Sequence, residues 1–178
     1  MNNAYLVMSL KEKIFTYKQR RQPAREVIFP DFKNVRSVLV LFESELLEQN
    51  AFVYAIAQKL IDEDKDVVSW GYCDKKEIQS PILPHLRVLG RRDFTLFGAP
   101  KDEVLHDLQK RHFDLLIDLT QHHCLALRYL AMYARADFKT GLNLGTGIHD
   151  LLISTEPQET PDFLFEQIVK YLKMIQPK

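Results

Sequence analysis

After about residue 34 the chain alternates between short, nearly continuous apolar runs and longer stretches whose apolar residues recur every three or four positions. The first kind is the signature of a strand buried on both faces, the second of a helix laid on a sheet. "SVLVLF" (37–42) predicts a strand, and "EQNAFVYAIAQKLIDED" (48–64) predicts a helix that buries Phe52, Ile56 and Leu60. "DVVSWGY" (66–72) predicts the second strand. Between 75 and 99 the pattern is broken by Pro81 and Pro84, with Pro100 just beyond, and "HLRVLG" and "DFTLFG" each read as a short strand. "KDEVLHDLQKR" (101–111) predicts a helix and "FDLLIDL" (113–119) a strand. "LALRYLAMYAR" (125–135) predicts a helix with a face of Leu125, Tyr129, Met132 and Tyr133. "FKTGL" and "DLLIST" predict two further strands, and "DFLFEQIVKYLKMI" (162–175) a closing helix.

Strands of this kind separated by single helices imply parallel pairing, because each crossover must run back over a face of the sheet. The expected fold is a three-layer, Rossmann-like α/β domain with a mostly parallel sheet over residues 34–178. Ahead of it, Leu6, Leu10, Ile14 and Tyr17 recur at helical spacing with Lys11, Lys13, Lys18, Arg20 and Arg21 on the other faces. An amphipathic N-terminal helix over about 4–20 is expected, with a connector bracketed by Pro23 and Pro30 completing a unit of residues 1–33.

The chain has 178 residues, enough for one such domain, and its 24 basic and 24 acidic residues cancel. That balance lacks the basic excess of a phosphate-backbone binder, so nucleic acid is not an expected partner. Residues 1–36 nevertheless hold eight basic against three acidic residues, a local +5. Three readings follow for that segment: packing across the domain, docking on a protein partner, or weak peripheral contact with an anionic membrane through residues 4–21. Cys73 and Cys124 make no disulfide framework or structural-zinc spacing, so a reducing cytoplasm is the expected location. The opening "MNNAYLVMSL" does not read as a signal peptide, and no run approaches the roughly 20 apolar residues of a bilayer span.

In open parallel sheets the ligand crevice lies beyond the C-terminal strand ends. This selects Phe42 to Glu45, Tyr72 to Asp74, Leu119 to His123 and Leu142 to Gly147. The expected ligand-binding residues are Glu43, Ser44, Thr120, Gln121, His122, Gly145 and Thr146, serving a small polar ligand or a protein partner. If the protein is an enzyme, His122, His123, Glu43 and Glu48 are the acid/base candidates, acting on a sugar or a phosphorylated metabolite. His122, His123 and Cys124 carry metal-ligand chemistry, yet neighbours at a helix start point in different directions, so no metal site is expected.

"TGLNLGTG" (140–147) matches the TGxxxGxG pattern of short-chain dehydrogenases, but a strand rather than a helix follows it, so its glycines are read as turn residues. Their backbone amides remain able to cradle an anion. Glu43, Ser44 and Glu45 put two carboxylates and no glycine after the first strand, where a dinucleotide loop would stand, and no cofactor is expected.

"FDLLIDL" followed by "LALRYLAMYARADFKTGLN" is similar to the N-terminal, acceptor-binding domain of heptosyltransferase-like glycosyltransferases. The whole chain, "FTLFGAPKDEV" and "EQIVKYLKMI" included, resembles a family of small uncharacterised bacterial α/β proteins, which brings no activity with it. In the glycosyltransferases a glycine-rich loop carries a catalytic aspartate after the first strand; here Glu48 takes that position and Ser44 and Leu47 replace the glycines. The nucleotide-sugar domain has no counterpart in this sequence. The resemblance therefore implies the fold without the transferase machinery, and a binding module ahead of an enzyme.

Overall fold

A computed structural model describes residues 9–44, 51–76, 78, 85–154 and 159–175. Among these the elements run α1 (Leu10–Arg20), β1 (Ser37–Glu43), α2 (Ala51–Ile61), β2 (Asp66–Tyr72), β3 (Leu86–Leu89), α3 (Asp102–Gln109), β4 (His112–Asp118), α4 (Leu125–Tyr133), β5 (Arg135–Leu142), β6 (Leu151–Ile153) and α5 (Pro161–Met174). The six strands form one sheet in the order β3-β2-β1-β4-β5-β6, and every neighbouring pair is parallel. This is a Rossmann-like order, in which the chain returns to the centre of the sheet between β3 and β4.

Alternation along the central strands builds the two cores. Val38 and Val40 of β1, with Leu115 and Ile117 of β4, face Ile56 and Leu60 of α2 and Leu164, Phe165, Ile168 and Leu172 of α5. Leu39 and Leu41, with Leu116, face Val104 and Leu108 of α3 and Leu127 and Leu130 of α4. Both faces are thus covered, which is why these strands read as unbroken apolar runs.

Helix ends follow local chemistry. Ser9 Oγ accepts a hydrogen bond from the Glu12 amide (3.3 Å), and Thr160 Oγ1 accepts one from the Phe163 amide (3.3 Å) with Pro161 in the first turn. α2 closes before Asp64, whose φ of 59° ends the turn leading into β2.

Two sequence expectations need correction. "DFTLFG" is not a strand: Arg91–Asp93 form a single 3-10 turn, and Phe94 makes one antiparallel bridge with Pro100 around a tight turn. The Thr95 amide bonds the Ala99 carbonyl (2.8 Å), and Gly98 (φ 82°) supplies the left-handed position of that turn. α4 ends at Tyr133 rather than at 135, because Arg135 already pairs with His112 as the first residue of β5. The buried Lys139 side chain stops the helix by donating to the Ala131 and Met132 carbonyls (2.7 and 3.2 Å).

Of the expected helix over 4–20, residues 4–8 and the start of the 48–64 helix lie outside the described residues. α1 packs on α4, with Phe15 fully buried edge-on against Tyr129 (ring centroids 4.8 Å apart). The connector continues along the free edge of β5: the Ile28 amide bonds the Asp137 carbonyl (3.2 Å), and Arg25 reaches the carbonyls of Ala136 (3.1 Å) and Asp137 (2.7 Å) and the carboxylate of Asp150.

Candidate functional site

The C-terminal ends of β1 and β4 flank the point where the strand order reverses, and a cleft of about 410 Å³ opens there. Its walls are Glu43 and Ser44 at the end of β1, Tyr72 and Asp74 at the end of β2, Leu119, Gln121, His122 and Cys124 from the β4–α4 connection, Phe52 from α2 and Pro161 from α5. Parallel strands all release their chains on this side, so four separate connections converge without any long excursion.

At its centre Glu43 Oε2 lies 2.9 Å from His122 Nδ1 and accepts the Gln121 amide at 3.3 Å. The Glu43 side chain is 27% exposed and that of His122 is 81% exposed, so the carboxylate is sheltered while the ring projects into solvent. A carboxylate on one ring nitrogen fixes the ring's orientation and favours the other nitrogen for exchange with a ligand. Gln121 is held by its side-chain amide, which donates to the Glu159 carbonyl (2.6 Å) ahead of α5.

On the opposite wall the Tyr72 hydroxyl donates to Asp74 Oδ1 (3.1 Å), and Arg91 grips both oxygens of the same carboxylate (2.6 and 3.0 Å). Burial, and then that hydrogen bond, push the Tyr72 hydroxyl above its ordinary range, so it stays a neutral donor. The bonds from Arg91 hold Asp74 below the usual carboxylate range. Cys124 is pushed up to about 11, first by burial and then by the charges of Glu43 and Asp118, against opposing amides of Leu127 and Ala126. A thiol held that high is no thiolate nucleophile at neutral pH. Among the described residues no cluster of three or more His, Cys, Asp or Glu side chains is arranged to hold a metal.

Four of the seven expected ligand residues, Glu43, Ser44, Gln121 and His122, line this cleft. Thr120 does not: it is buried, and both its amide (3.0 Å) and its hydroxyl bind Asp118 Oδ1. Gly145 and Thr146 sit in the β5–β6 loop, where Gly145 and Gly147 take φ of 66° and 65° and the Thr146 carbonyl accepts from Gln19 (2.7 Å). His123 is exposed and is not part of the cleft wall, and Glu48 lies outside the described residues.

With this geometry in view, a family model described as a family of unknown function, DUF6913, matches residues 7–175. The chain belongs to this family. No curated protein matches the DUF6913 chain. Among solved structures it is similar to E. coli heptosyltransferase WaaC with ADP, at 12% identity and a TM-score of 0.48, over 75% of this chain and 46% of that one. This DUF6913 member thus spans less than half the length of that structure. No helix among its described residues is long and apolar enough to cross a membrane.

The sequence reading missed one polar pair beside the cleft. Asp118, the last residue of β4, lies beneath His149 of the β5–β6 loop, and Gly141 opposite Asp118 gives the ring its space. A Cβ on Gly141 would fall 2.8 Å from His149 Nε2. The available signal was an aspartate closing the otherwise apolar run "LLID", a position that tolerates a carboxylate only when partners satisfy it.

Proposed function

We propose that this protein is a non-catalytic binding module that holds a small, hydroxyl-rich polar ligand, such as a sugar, in the cleft at the ends of β1 and β4. The observation that carries this reading is the convergence of Glu43, Tyr72, Asp74, Gln121 and His122 from separate connections on one cleft. Carboxylates accept from hydroxyl groups, and Phe52 and Tyr72 give apolar faces on which a sugar ring can lie. The Glu43 carboxylate opposes a phosphate by charge, the charge of Asp74 being answered by Arg91, and no glycine stands at Glu43 or Ser44 to let backbone amides approach one. Cys73 and Cys124 are not joined in a disulfide, which fits a reducing bacterial cytoplasm. Residues 34–178 are taken as the binding domain and residues 1–33 as an N-terminal unit whose described part, residues 9–33, packs on it.

The test is a thermal-shift and calorimetric panel of neutral sugars, sugar phosphates, nucleotides and divalent metals. A ligand at 100 times its dissociation constant stabilises the fold by about 2.7 kcal/mol. A neutral sugar should raise the Tm of the native protein and fail to do so in Glu43→Gln. Stabilisation by nucleotides or phosphates alone, or an undiminished shift in the variant, rejects the proposal.

One observation favours an enzyme as the second reading: the 2.9 Å contact of Glu43 with His122 orients an exposed imidazole as a general base does. In that case conversion of a sugar or phosphorylated metabolite, followed by NMR, should disappear in His122→Ala while ligand affinity persists.

A further inference from the structure

Tyr129 of α4, fully buried, is covered by two elements at once. Phe15 of α1 meets its ring edge-on, and the turn between Phe94 and Pro100 comes so near that a Cβ on Gly98 would fall 2.9 Å from Leu125 and 3.9 Å from Tyr129. Phe15, Ala99 and Tyr129 share one apolar cluster. α1 and the turn are therefore neighbours on the outside of α4. The charge of Lys11 also reaches Asp74, whose carboxylate is held by Arg91 just ahead of the turn.

Both elements send apolar side chains away from that cluster. At about 100° per residue, Leu10 and Tyr17 stand on the side of α1 opposite Phe15, together with Lys13 and Arg20. Leu10 is 65% exposed and Tyr17 59%. At the tip of the turn Leu96 is 88% exposed and Phe97 46%. The tip is fixed in this pose, because the Gly98 amide bonds the Thr95 carbonyl (2.9 Å) and the Thr95 amide bonds the Ala99 carbonyl.

The charge beside these groups is mainly of one sign. α1 and its C-terminal end hold Lys11, Lys13, Lys18, Arg20 and Arg21 against Glu12, and Glu12 is engaged by Arg128 of α4. Around the turn Arg91, Arg92 and Lys101 balance Asp93, Asp102 and Glu103, so the cationic surplus belongs to α1. A protein partner would need a hollow shaped to the projecting Leu96 and Phe97, whereas a lipid interface takes in apolar tips of any shape. Basic residues beside such tips meet anionic headgroups, and a ring with a polar end, as in Tyr17, suits the boundary between them.

We propose that the outer face of α1 and the Leu96–Phe97 turn together form a docking surface for an anionic lipid bilayer. The turn enters the headgroup region, and the basic residues of α1 rest on lipid phosphates. This surface does not depend on what the cleft at β1 and β4 binds.

The test is flotation of the full chain with vesicles of phosphatidylcholine alone and of phosphatidylcholine mixed with phosphatidylglycerol. The native protein should rise with the mixed vesicles, bind them more tightly than the neutral ones by about tenfold or more, and release them in high salt. Leu96→Ser/Phe97→Ser and Lys13→Gln/Arg20→Gln change exposed side chains, so each should keep the native Tm while weakening binding to mixed vesicles by about tenfold or more. In Leu96→Trp, fluorescence should shift to the blue on mixed vesicles and be quenched by brominated lipid, with the buried Trp70 of the native protein as baseline. Absence of flotation, equal binding to neutral vesicles, undiminished binding in either double variant, or an unshifted Leu96→Trp spectrum overturns the proposal. Retention on immobilised polyglutamate without flotation also overturns it, and assigns the surface to an acidic protein.

Discussion

Asp118 Oδ2 lies 3.0 Å from His149 Nε2, with the two side chains 6% and 5% exposed. Few ionisable pairs are so fully withdrawn from water unless each group satisfies the other, and removing one partner then costs more than the pair contributes. His149→Ala or Asp118→Asn should destabilise the fold by about 3–5 kcal/mol in urea denaturation. Gly141→Ala, which forces the ring off its partner, should cost about 1–3 kcal/mol. The two effects are coupled: in the absence of the His149 ring, Gly141→Ala should add almost nothing, and additive losses would show that the ring does not rest on Gly141.

Lys139 provides a pH signature. Burial first, and then the charge of Arg25, lower its amine to about 8, against the opposing pull of Asp150. The unfolded chain holds its proton to about 10.4. Between about 8 and that value the unfolded state binds the extra proton, so this group's contribution to stability rises with pH across the window. Below about 8 the unfavourable burial of the ammonium is fully present. Side-chain NMR of labelled lysine should show one amine titrating near 8; a midpoint in the ordinary lysine range for every amine would contradict the buried arrangement.

Asp114 carries the opposite sign. Burial raises its carboxyl, yet the amides of Arg36 (2.7 Å) and Ser37 (2.9 Å) prevail and hold it below the usual carboxylate range. It therefore stabilises the fold above the unfolded value of about 3.9 and loses that contribution as pH falls through the lower, folded value. Asp114→Asn should cost about 1–2 kcal/mol at pH 7. Its difference from the native protein should shrink below pH 4, and a difference that is constant with pH would show that the carboxylate charge has no part in it.

The central strands were legible because burial on both faces leaves no polar positions: "SVLVLF" and "FDLLIDL" fall within one residue of β1 and β4. "DFTLFG" has strand composition but sits where β3 already ends the sheet, so no neighbour exists to pair with it. Propensity without a partner produced a turn. The rim was legible through the parallel-strand rule, which brought Glu43 and His122 together from positions 79 residues apart. The rule could not tell which rim residues turn inward. Thr120 is drawn to Asp118, and Asp118 to His149 across 31 residues, a choice made by tertiary contact alone.

The connector along β5 has a consequence for solution behaviour. β6 pairs only with Thr140 to Leu142, so the first half of β5 would present bare peptide groups if the Ile28 and Arg25 contacts were absent. Exposed strand edges recruit other chains, and an intact connector keeps this one from templating aggregation. Proteolytic nicking between α1 and β1 would then be followed by clumping of otherwise folded molecules.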